Sequence, residues 1–106
     1  MNTKAILSTE ELENLRRLGS RVRLARLRRN LTQVELADRM GVHRQSVVNL
    51  EKGSPGISFA LVTKALYVFG YVGRIGDLLA VDEIGEEMEL ATGRKRATSR
   101  PGVADF

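Results

Sequence analysis

The chain has 106 residues, of which 42% are hydrophobic and 28% charged, enough for one folded domain with short extensions and too few for two. It contains no cysteine and one histidine, His43, which excludes disulfides, thiolate metal sites and a zinc site built on several histidines. Its charge is segregated: Lys/Arg against Asp/Glu stand at eleven to six in residues 1–52, two to six in 53–90 and four to one in 91–106, a pattern that suits one face for a polyanion and another for a different partner.

No secretory signal follows Lys4, and the charge-free stretch in the apolar part, Ala65 to Gly73, is far short of the roughly 20 residues that span a bilayer. The expectation is a soluble cytoplasmic protein that needs no cofactor and has no membrane partner.

Ser8 and Glu11 stand at capping-box spacing and open the first helix. Leu12, Leu15, Leu18, Val22 and Ala25 form an apolar stripe that carries it to about Arg29. Gly19 lies within this stripe. It is either tolerated there at a cost of about 1 kcal/mol, or it breaks the helix, with Ser20 capping a second segment. Thr32 and Glu35 form a second capping box, which opens a short helix from Gln33 to Met40. Gly41 ends that helix, and Val42 leads directly into a further helix from His43 to Lys52, stopped by Gly53.

Ser54-Pro55-Gly56 reads as a loop, and Ser58 to Phe69 as a fourth helix so apolar that it is either central or shares a face with another chain. Gly70, Gly73 and Gly76 mark a turn, and Asp77 to Ala80 reads as one more short helix. Beyond Val81 the periodicity weakens. Residues 82–106 are acidic and then basic, and they read as a tail that is largely disordered in isolation.

Two short helices joined by Gly41-Val42 impose steric demands. Ala37 must be small where the second helix crosses it, Gly41 supplies a positive φ, and Val47 fills the angle between the helices. The run Thr-Gln-x-Glu-Leu-Ala, then Gly-Val, then Arg-Gln-Ser-Val-x-x-Leu-Glu-x-Gly resembles the Cro/repressor-type helix-turn-helix of the XRE family. The resemblance covers residues 33–52 closely. It implies an all-α, five-helix, lambda-repressor-like DNA-binding domain at 19–81, with a partly helical N-terminal extension at 1–18 and a C-terminal tail at 82–106. It implies no enzymatic activity, and the residues hold no catalytic or metal-binding constellation.

The same resemblance distributes roles. The helix after His43 becomes the recognition helix in the major groove, with Arg44, Gln45, Ser46 and Asn49 toward base edges. Gln33 at the start of the preceding helix, together with Arg21, Arg28 and His43, is expected at phosphates. Arg26 and Glu51 match an ion pair that ties the first helix to the third. The remaining arginines of the first helix read as a solvated surface. His43 departs from the Ser or Thr common at its position, and histidine caps helices poorly.

Such domains bind palindromic double-stranded DNA as homodimers, and Val62, Leu66, Ile75, Leu78 and Leu79 are the expected interface. More narrowly, Gly53 to Ser58, Arg74 to Leu79 and the basic cluster Gly93 to Arg96 resemble HipB-type antitoxins. These repress their own operon and bind a HipA-type kinase toxin. The alternatives are a stand-alone or phage-type regulator, or a protein-interaction adaptor without DNA binding.

Overall fold

A computed structural model describes residues 6–93, which contain five α-helices and no strand. In chain order these are α1 (Thr9–Arg28), α2 (Gln33–Met40), α3 (Arg44–Lys52), α4 (Phe59–Phe69) and α5 (Glu83–Thr92), with a 3-10 turn at Ile75–Asp77. None of these helices is long and apolar enough to cross a membrane. The chain divides after Ile75 into two units.

In the first unit, local chemistry sets the helix ends. Ser8 and Glu11 close one capping box on α1, and Thr32 and Glu35 close another on α2. The Ser58 hydroxyl accepts from the Leu61 N–H at the start of α4. α1 ends through Asn30 at φ +56°, a left-handed conformation that Asn tolerates better than most residues. The Leu31 N–H then reaches back to the Arg26 carbonyl at 3.2 Å. Between α2 and α3, Gly41 is left-handed at φ +73°, and the Val42 N–H donates to the Ala37 carbonyl at 3.0 Å. This tight turn lets the two short helices share one core.

That core is built from Val22, Leu31, Leu36, Ala37, Met40, Val47, Leu50, Ala65 and Phe69, so every helix from α1 to α4 contributes. Leu36 and Val47 are fully buried, and Ala37 is buried beside them. Arg29 clamps the far end of α1. Its guanidinium donates to the Ala25 and Phe69 carbonyls at 2.9 and 2.8 Å and stacks 4.8 Å from the Phe69 ring centroid.

α1 runs unbroken through Gly19, the first of the two readings of that position. Its backbone there lies against the backbone of Glu51 and Gly53, where a side chain would collide. Two expectations change. The short helix expected at Asp77–Ala80 is replaced by the 3-10 turn, because Leu79 adopts φ +66° and cannot continue a right-handed helix. Within the expected disordered tail, residues 83–92 are helical: the Asp82 side chain accepts from the Gly85 N–H, and left-handed Gly93 ends α5. α5 has no buried residue. The cluster Arg94–Arg96 and the rest of the tail lie outside the described residues.

Candidate nucleic-acid interface

The first turn of α3 projects from the domain surface. Val47, Leu50 and Glu51 turn inward and anchor the helix, which leaves Arg44 and Gln45 exposed and Ser46 and Asn49 half-buried. Gln45 and Asn49 lie one turn apart, and the Gln45 amide donates to Asn49 Oδ1 at 3.0 Å. The two thus share a face and present amide groups side by side, the chemistry that matches the N6/N7 edge of adenine. His43 occupies the N-cap without a side-chain capping bond and is exposed. Its imidazole is therefore not committed to its own helix.

Beneath this surface Arg26 and Glu51 form a buried ion pair, with Nε–Oε2 at 2.6 Å and Nη2–Oε1 at 3.0 Å. The third nitrogen of Arg26, Nη1, donates to the Leu31 carbonyl at 2.8 Å. The pair ties α1 to the last turn of α3, and no buried side-chain polar atom among the described residues lacks a partner. Gln33, the first residue of α2, donates from Nε2 to Glu51 Oε1 at 3.1 Å and accepts from Arg44 Nη2 at 3.2 Å.

An open groove of about 530 Å³ lies where α1, α2 and α3 converge. Gln33, Thr32 and Arg44 line it together with Arg23 of α1 and the apolar Leu27 and Val34. The N-terminus of α2 opens onto it, so backbone N–H groups, the positive end of a helix dipole and two guanidinium groups meet in one place. This is a setting that favours a phosphate. Arg21 and Arg28, the sequence-level phosphate candidates, are exposed on α1 but do not line the groove. Arg23 lines it instead.

The start of α2 is fixed by its own capping box. The Glu35 carboxylate accepts the Thr32 N–H at 2.8 Å, and the Thr32 hydroxyl accepts the Glu35 N–H at 3.0 Å. The backbone bond from Thr32, then the side-chain bond and the nearby Arg39, hold the Glu35 carboxyl below the usual glutamate range.

Five residues are expected at a dimer interface. Val62, Leu66 and Ile75 are half-buried in the first unit, with Val62 packed on the core, while Leu78 and Leu79 of the second unit are exposed. No group of His, Cys, Asp or Glu side chains among the described residues is placed to hold a metal ion.

A helix-turn-helix family model matches residues 22–72, which span α2, the Gly41 turn, α3 and α4. Two proteins of Archaeoglobus fulgidus, each named an uncharacterized HTH-type transcriptional regulator, are 41% identical to the chain over 66 residues. The aligned region is 62% of this chain and covers 90% and 91% of theirs. No solved structure matches.

Proposed function

The chain belongs to the XRE-type helix-turn-helix family of DNA-binding transcriptional regulators, and on that premise we propose that it is a sequence-specific repressor whose α3 reads bases in the major groove. Arg44, Gln45 and Asn49 approach base edges, with Ser46 beside them. Gln33, His43 and Arg23 hold the flanking phosphates. The observation that carries this reading is the placement of Arg44 and Gln45 on the exposed first turn of α3, directly beside the groove at the start of α2. Arginine pairs with guanine O6/N7 and glutamine with adenine N6/N7, each through two hydrogen bonds. One such helix reads few base pairs, so the protein acts as a homodimer on a near-palindromic operator with half-site centres about 34 Å apart.

The test uses a duplex selected from a random pool, followed by binding titrations on its single-base variants. Arg44→Ala and Gln45→Ala should each cost about 1–3 kcal/mol and relax preference at one base pair. Even losses across all variants would remove α3 from the base-reading role.

The narrower reading is that the repressor is the antitoxin of a HipA-type kinase and represses the operon that encodes both. The sequence pattern of Gly53 to Ser58, Arg74 to Leu79 and Gly93 to Arg96 favours it. Co-purification of a kinase encoded beside the gene is the measurement that separates an antitoxin from a stand-alone regulator.

A further inference from the structure

Three interactions run in series from the core to the first residue of α3. Arg26 grips the Glu51 carboxylate through two nitrogens, Gln33 Nε2 donates to Glu51 Oε1, and Arg44 Nη2 donates to Gln33 Oε1. A carboxylate only accepts and a guanidinium only donates. An amide placed between them has one compatible orientation, with its NH2 toward Glu51 and its oxygen toward Arg44. Reversing it would set oxygen against carboxylate and NH2 against guanidinium, and both bonds would be lost.

The inner end of this series is immobile. The Arg26 and Glu51 side chains are 8% and 4% exposed, and the two-point grip prevents the carboxylate from turning. The outer end is an exposed arginine, which without a partner would sample many rotamers. One of its five N–H groups goes to Gln33, and the others include the parallel pair that guanine recognition requires.

We propose that Glu51 is a positioning residue for base recognition: by orienting the Gln33 amide, it aims the Arg44 guanidinium at its base. Glu51 is buried and touches no DNA; it acts through Gln33. This inference rests on the reading of α3 as the recognition helix, and it assigns the buried ion pair a second task beyond joining α1 to α3.

The experiment compares the full-length protein with Arg44→Ala, Glu51→Gln and Gln33→Leu on the selected operator and its single-base variants. Arg44→Ala identifies the base pair that depends on Arg44, where discrimination of about 5-fold to 150-fold is expected in the unmodified protein. Glu51→Gln keeps the shape but offers Gln33 both a donor and an acceptor, so the amide loses its single orientation. It should abolish discrimination at that base pair and leave intact the preferences set by Gln45 and Asn49. Gln33→Leu preserves the ion pair and should lose the same preference.

In the unmodified protein, the Gln33 side-chain amide should exchange its protons with solvent more slowly than a free glutamine. If Glu51→Gln does not fold, Gln33→Leu and the amide exchange decide the matter together, and either one failing overturns the proposal. A Glu51→Gln protein that is less stable, binds every variant proportionally more weakly and retains the Arg44-dependent preference shows a merely structural ion pair and overturns the relay alone. If Arg44→Ala alters no base preference, the recognition reading falls and the relay falls with it.

Discussion

Gly19 of α1 faces the backbone carbonyl of Glu51 in α3 so closely that a Cβ added to the glycine would lie 2.5 Å from that oxygen. The two helices touch backbone to backbone at this point. The same approach is repeated one turn away, where Gly53 meets the backbone of Leu15 and Arg16. These paired contacts set the height at which α3 crosses α1, and so the distance over which Arg26 reaches Glu51.

At Gly19 the usual ranking of glycine and alanine in a helix is reversed. Replacing glycine by alanine inside a helix normally stabilises it by about 1 kcal/mol. At Gly19 the added methyl has no space and its neighbours are backbone atoms, which cannot rotate aside. Gly19→Ala should therefore lower the melting temperature and the denaturant midpoint. A gain in stability would show that α1 and α3 lie farther apart than described.

The ion pair between Arg26 and Glu51 should behave as a coupled unit. Removing one partner leaves a charge buried without compensation, and Arg26→Met or Glu51→Leu alone should destabilise by about 3–5 kcal/mol. The double variant Arg26→Met/Glu51→Leu removes both charges and should be more stable than either single variant. Urea denaturation of the four proteins checks this through a double-mutant cycle.

Arg23 and Arg21 provide a matched pair on one helix. Arg23 lines the groove beside Gln33, whereas Arg21 does not. Arg23→Ala should weaken binding to all DNA sequences alike and reduce the salt slope by about one unit per protomer. Arg21→Ala should have the smaller effect on both quantities. Titrations between 50 and 200 mM salt distinguish them, and equal slopes would place the phosphate elsewhere than the groove.

Acid sensitivity should be traceable to the cap of α2. The Glu35 carboxyl titrates below the usual glutamate range because the Thr32 backbone N–H, and then its side chain, hydrogen-bond the residue. A folded-state value below the unfolded one means that the stabilisation is fully present above the unfolded value and disappears as pH falls through the folded one. Glu35→Gln should therefore melt below the unmodified protein at pH 7, and the difference should shrink in acid once both side chains are neutral. A difference that persists unchanged in acid would assign the effect to packing rather than to the carboxylate.

What the sequence determined by itself is the part of the protein governed by short-range chemistry. Both capping boxes join residues three apart. The left-handed ends at Gly41 and Gly53 follow from the freedom of glycine at the point where a helix must stop. Ala37, Val47 and Leu50 declare the crossing of two short helices because their spacing leaves one inward face. The all-helical, helix-turn-helix architecture was legible for this reason.

Tertiary structure decided what depends on which backbone lies opposite. Gly19 reads along the chain as a weak point in a helix, and only the presence of α3 makes it the contact that a side chain would destroy. Arg29 reads as a solvated charge until the end of α4 brings the Phe69 carbonyl and ring to it. Arg23 cannot be separated from Arg21 and Arg28 by charge or periodicity, because which side of α1 meets α2 is set by the packing of α1 on α3. The series from Arg26 to Arg44 joins residues 11 to 25 positions apart. Its directionality comes from donors and acceptors that meet only after three helices have docked.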